Sequence, residues 1–209
     1  DLHNAYIDQA AQEAFSEWAR FKRSQINIFR QVGYMPGLAS SASTRLRLAR
    51  LSGVTESITI PRWTAFGRLD GMEYLTTEAV VIPMGVESVE VDSLQGVAVT
   101  RTIQPEEFTI IDWSRRPKVN IGANICAGSV SMWSGDPAAY WTETQTFFRV
   151  QAPDRVFRLE LNGDDDTVNL ALGDGERGVS TPDEALHIEF IRTAGAAGNG
   201  GSGTVTVVP

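Results

Sequence analysis

Apolar residues recur at three- and four-residue steps through 4–32, at Ala10, Ala14, Trp18, Phe21, Ile28, Phe29 and Val32, broken once by Gln25. Glu13, Glu17, Arg20 and Arg23 fall between them. That spacing predicts one amphipathic helix, because residues three and four apart share a helical face. Gly33 stands where a left-handed residue would end it. The stripe carries large rings, so Phe15, Trp18, Phe21, Ile28 and Phe29 are read as a contact with a partner or a second copy. The alternative is a helix packed on its own domain.

Beyond residue 40 the period changes from 3.6 to 2. Leu46 and Leu48 alternate with Arg45 and Arg47. Helix or strand would both accommodate 44–51; the alternation favours strand, although Leu51 breaks it. Short β-rich runs follow at 58–60, 73–77, 80–82, 88–92 and 96–103, then at 147–150, 155–161, 185–191 and 204–208. Pro61, Gly67, Gly71, Pro83, Gly85 and Gly96 punctuate the first group at the spacing of an all-β sandwich or barrel. The expectation is an α+β fold, with an N-terminal helical arm over 1–40 and a β-rich, mainly antiparallel body over 41–209. A division of that body into two subdomains would fall near 104–146, its least regular stretch. The start at Asp1 and the stop just after 204–208 suggest a piece of a longer chain.

Composition narrows the function classes. A net charge of −8 argues against unaided binding to nucleic acid or an anionic membrane, both of which need clustered Lys and Arg. No apolar run approaches the roughly 18 residues of a membrane-spanning helix. The single cysteine, Cys126, sits between Ile125 and Ala127 and reads as a buried, inert thiol; it excludes an internal disulfide.

Candidate chemistry is sparse. Gly198 to Gly203 formally fits G-x-G-x-x-G, but the dinucleotide mechanism needs a helix N-terminus next, and 204–208 is β-branched. Asp164, Asp165, Asp166 and Asp174 are hard oxygen ligands that could hold calcium; Asn162-Gly163-Asp164 is also a good solvated turn. His3 and His187 share no metal-ligand spacing, and His187 beside Glu189 reads as a surface residue of a strand. Trp113, Trp133 and Trp141 stand apart; as exposed rings they would make a β-sandwich glycan-binding module, and as buried rings they would be core. Nothing marks two of the 26 acids as a catalytic pair. Neither a cofactor nor a metal is expected, and the chain is read as a non-enzyme.

The stretch Gly173-Asp174-Gly175 with Gly178 reads as a tight turn built on glycine backbone freedom, so these four residues are assigned a structural role. It also belongs to a longer order of motifs. That order begins with Gly33-Tyr34-Met35-Pro36 and Ser41-Ala42. It continues through Ile58-Thr59-Ile60-Pro61 to Phe66, 71–76 and Val81-Ile82-Pro83-Met84-Gly85. It closes with Leu172 to Gly178, Pro182, Ile188-Glu189-Phe190, Thr193-Ala194-Gly195 and Gly198-Asn199. In this sequence it resembles the baseplate J-like family, which includes wedge proteins of contractile phage tails. Arg62-Trp63 departs from the family's small residue and glycine after the proline, and Leu172 replaces its phenylalanine.

The resemblance implies a non-enzymatic structural subunit of the virion, made in the host cytoplasm and placed in the tail baseplate. Its partners would be other wedge and hub proteins and copies of itself within a six-fold ring, with no nucleic acid and no membrane. It would help transmit the trigger for sheath contraction. A tailocin or secretion-system baseplate would look much the same.

Overall fold

Strand pairing organises this chain. The computed structural model describes residues 21, 24–26, 28, 37–51, 53–67, 71–110, 115–136, 139–163 and 165–198. They are almost entirely β, so the expected α+β class is corrected to β. Helix among them is confined to 24–26 and 28 and to two short 3-10 turns, Pro105–Glu107 and Gly195–Gly198; no N-terminal helical arm stands among the described residues. The physical reason lies in what a helical stripe requires. Periodicity shows which face a helix would bury, but helix nucleation is costly and most helical stability comes from packing that face. Here Phe21, on the stripe, is 55% exposed, whereas Ile26, off it, is buried.

Fourteen strands are described, in chain order β1 (Ser43–Ala49), β2 (Ile58–Ile60), β3 (Ala65–Gly67), β4 (Glu73–Thr76), β5 (Val80–Ile82), β6 (Ser88–Gln95), β7 (Val97–Ile103), β8 (Thr109–Ile110), β9 (Pro117–Ala123), β10 (Ser131–Ser134), β11 (Tyr140–Glu143), β12 (Val156–Leu161), β13 (Thr167–Leu172) and β14 (Leu186–Arg192). The chain divides into two compact units, and neither is a continuous stretch: 1–38, 102–123 and 132–187 form one, and 39–101, 124–131 and 188–209 form the other.

In the second unit the sheet order is β1-β6-β4-β3, all antiparallel, and β2 pairs with β5 as a separate ribbon. The pairing of β1 with β6 shows why the alternation works. Leu46 lies opposite Val91 and Leu48 opposite Val89, while Arg45 faces Asp92 and Arg47 faces Glu90. The apolar set joins Phe66, Tyr74 and Ile82 in one core cluster, with Ile58, Ile60 and Val80 packed against it. A smaller cluster holds Leu75, Cys126 and Ile191. Burial raises the Cys126 thiol above its ordinary pKa, which leaves it un-ionised and unreactive.

Two polar side chains fix the loops of this unit. The buried Gln95 carbonyl accepts from Thr193 Oγ1 and from the Ala194 N–H, each at 2.9 Å, and Tyr74 donates its hydroxyl to the Gly198 carbonyl at 2.8 Å. The described part of the glycine-rich loop is therefore held by its backbone. Arg50, just past β1, donates through Nε to Val86 O, through one terminal nitrogen to Val54 O and Glu56 O, and through the other to Ile82 O and Pro83 O. All five guanidinium N–H groups are thus used, each on a backbone carbonyl.

In the first unit the sheet order is β10-β11-β12-β13-β9-β8. Its pairs are antiparallel except β11 with β12, which is parallel. Phe157, Val168, Leu170, Leu172, Val119, Ile121, Met132 and Trp141 alternate onto its buried face. The residues between them form the polar face considered next.

Candidate functional site

The polar face of β12, β13 and β9 carries a charged cluster. Arg158 on β12, Ala171 on β13 and Lys118 on β9 stand in one cross-strand row. Two strand spacings, about 9.6 Å, separate the outer two backbones. The methyl of Ala171 leaves the space above β13 open to long side chains, and Lys118 Nζ reaches Glu160 at 2.8 Å. Arg158, two residues before Glu160 and so on the same face, pairs with its other oxygen. Burial alone would push the Glu160 carboxyl up; the hydrogen bonds and charges of Lys118 and Arg158 outweigh it and hold the group below its ordinary range.

Arg116 extends the cluster to the turn after β13. Its guanidinium donates to Asp174 Oδ2 at 3.1 Å and lies 4.5 Å from the centroid of the buried Phe147 ring, with Arg158 at 5.5 Å from the same ring. The Nε–H of Arg116 and of Arg158 is buried and meets no hydrogen-bond acceptor among the described residues. The electron-rich ring compensates both cations in part.

The turn is a backbone construction. Gly173 N–H donates to Val179 O at 3.1 Å and Gly175 N–H to Gly178 O at 3.0 Å. Gly175 and Gly178 lie at φ 89° and 90°, the region open to glycine, and a Cβ on Gly173 would meet the Gly178 backbone. Asp174 Oδ1 accepts the Glu176 and Arg177 N–H groups at 3.1 and 2.8 Å. Burial opposes ionisation here too, but those amides and the Arg116 charge bring the Asp174 pKa down. Each carboxylate of the cluster is held ionised and fully engaged, a state suited to fixing β9, β12 and the turn.

The other notable surface is aromatic. Trp133 on β10 lies opposite Tyr140 on β11, with ring centroids 6.2 Å apart. On its other side Trp133 stacks on His187 at 5.7 Å and 26°, and His187 Nδ1 is 3.1 Å from Thr102 Oγ1. Tyr140 is 62% exposed, and Trp133 and His187 are half-buried. Trp141 points the opposite way into the core and donates to Ser134 Oγ at 3.3 Å, so its ring faces no solvent. Trp113 lies outside the described residues, as do Phe15, Trp18 and Phe29; Ile28 is half-buried.

Asp165 accepts from the N–H and hydroxyl of Thr167 at 3.1 and 2.7 Å, hydrogen bonds that lower its pKa and close the β12–β13 turn. Asp164 lies outside the described residues, and Asp174 is engaged by Arg116 and its own turn. Among the described residues no three His, Cys, Asp or Glu side chains are grouped to hold a metal ion. Sequence reasoning passed over Arg116, Lys118, Arg158, Glu160, Phe147 and Tyr140. The only local signal was the i, i+2 spacing of Arg116 with Lys118 and of Arg158 with Glu160. No family model matches the chain, and no curated protein does; the likeness to the baseplate J-like family rests on the order of its motifs.

Glu160→Gln leaves Lys118 and Arg158 without their counter-charge and should cost about 3 kcal/mol in chemical denaturation at neutral pH. Because the folded-state pKa of Glu160 is depressed, its contribution is complete above the ordinary glutamate range, about 4.3. It is lost as pH falls through the lower folded value. The acid limb of a stability–pH curve should therefore flatten in Glu160→Gln; an unchanged limb would contradict the assignment. In the turn, Gly175→Val meets open space but an unfavourable φ and should cost roughly 1–2 kcal/mol. Gly173→Ala clashes with backbone and should lower the melting temperature further; the reverse ranking would refute this account of the turn.

Proposed function

We propose that the chain is a structural, non-enzymatic subunit of a contractile-tail baseplate wedge, assembling with itself and with other wedge and hub proteins and helping to pass on the contraction trigger. The observation that carries this reading is the order of motifs from Gly33-Tyr34 to Gly198-Asn199, together with what those residues do. Ile58 and Ile60 pack on the core of one unit, and Val81 and Ile82 lie in β5 opposite Thr59 and Ile58. Gly173 to Gly178 form the turn that follows β13, and Ile188 and Phe190 are buried in β14. Motifs spent on turns and core fit a protein whose work is done by its surfaces. In this reading Phe15, Trp18, Phe21, Ile28 and Phe29 remain the proposed partner contact, and 21 is exposed to meet one. Antibodies to the chain should place gold label at the tail tip of contractile particles purified from the source cells. Particles free of the chain by immunoblot would overturn the reading.

A second reading is favoured by the Tyr140–Trp133–His187 row: a β-rich module that binds glycans, with sugar rings laid on an exposed aromatic face. Trp141 cannot take part, because it is buried. On a glycan array the chain would bind defined sugars, and Trp133→Ala and Tyr140→Ala would each weaken binding at least tenfold. Binding unaffected by both substitutions would dismiss the aromatic row as its site.

A further inference from the structure

The second unit exposes a group of apolar side chains around one cation. Leu51 is 73% and Met84 75% exposed, and Val54, Val81 and Val86 are exposed as well. Single exposed apolar residues are ordinary, but a group is informative. These five share an anchor. Each is, or adjoins, Arg50 or a residue whose carbonyl Arg50 holds: Val54, Ile82, Pro83 and Val86. A single guanidinium thus ties the loop after β1 to the turn after β5 and fixes the backbone that carries their apolar side chains in advance of any contact. Surfaces fixed in this way lose little conformational freedom on docking.

The border of the platform gives its sign. Glu56 and Glu87 are exposed and their backbones are joined to Arg50, whose own N–H donates to Glu87 O at 2.8 Å. The Arg50 guanidinium is held among carbonyls at the centre of the group, and the two carboxylates stand at its rim. In a chain of net charge −8, that rim disfavours anionic lipid. A second copy would set acid against acid across a self-complementary contact.

We propose that this platform docks a protein partner whose apolar contact is bordered by Lys and Arg. The proposal is independent of the baseplate reading, and its test uses no tail component. The probe is a synthetic, fluorescently labelled peptide of about 14 residues, long enough to form a helix on a surface, with Leu on one face and Lys on the other. A matched peptide carries Glu in place of Lys. The Lys peptide should bind the full chain and protect amides of 50–57 and 80–87 from hydrogen exchange. Binding should weaken severalfold as salt rises from roughly 0.05 to 0.5 M. Met84→Asp adds negative charge but removes an apolar contact, so it should weaken binding at least tenfold, and Leu51→Ser should do so without altering charge. Equal binding to these variants, equal binding of the Glu peptide, protection elsewhere or no binding would each overturn the proposal. So would a concentration-dependent dimer that Met84→Asp dissolves, since the occupant would then be a second copy.

Discussion

A carboxylate taken out of water must be compensated, and the first unit is arranged around meeting that demand for Glu160. Lys118 and Arg158 approach it from two strands that are not neighbours, across the one methyl group of Ala171. A larger residue at 171 would fill the channel through which Lys118 reaches. The same demand then propagates. Arg158 also lies over Phe147, so the loop before β12 is drawn onto the face, and Arg116 over the same ring reaches Asp174 in the turn after β13. Buried ion pairs contribute little net stability, because desolvation consumes most of their attraction. What they exclude is any register in which a charge would be left alone. The cluster therefore specifies the pairing of β9, β13 and β12 more than it strengthens it.

The second unit meets its polar demands with neutral acceptors. Gln95 is buried in β6 and receives the Thr193 hydroxyl and the Ala194 amide. Arg50 gives all its hydrogens to carbonyls. Both join segments far apart in sequence, and the chain leaves and re-enters each unit repeatedly. Neither unit is a stretch that could be cut out intact. Long-range pairing of this kind closes large loops before any contact compensates for them, which slows folding.

How much was visible beforehand depended on how local each signal was. Period-two alternation located β1 because Leu46 and Leu48 alternate with Arg45 and Arg47, and Leu51, which broke the pattern, lies beyond the strand end in the exposed loop. Glycines flanking an aspartate are equally local. The three tryptophans were not separable, for Met132-Trp133 and Tyr140-Trp141 are adjacent apolar pairs, and either member can face inward. Only the register decides: Met132 lies opposite Trp141 in the core and Trp133 opposite Tyr140 outside it. The charged cluster was hidden for the same reason, since Lys118 and Glu160 are 42 positions apart. The error in fold class came from giving one amphipathic stripe the weight of a domain.

Arg50 shows why residue identity matters beyond charge. Arg45 and Arg47, its neighbours in sequence, lie opposite acids of β6 on an open surface, where solvent screens an ion pair and a lysine would do nearly as well. Position 50 is different. Its five acceptors come from two loops and lie around a planar fork; an ammonium has three donors and no fixed plane, and could join only some of them. Since those acceptors are neutral, the bonds are charge-assisted without a counter-ion, and the cation tolerates the apolar side chains beside it. A carboxylate partner would have tied up the same charge while fixing one residue. Distributing its hydrogen bonds over five carbonyls fixes two segments, with the exposed acids of 56 and 87 at the rim.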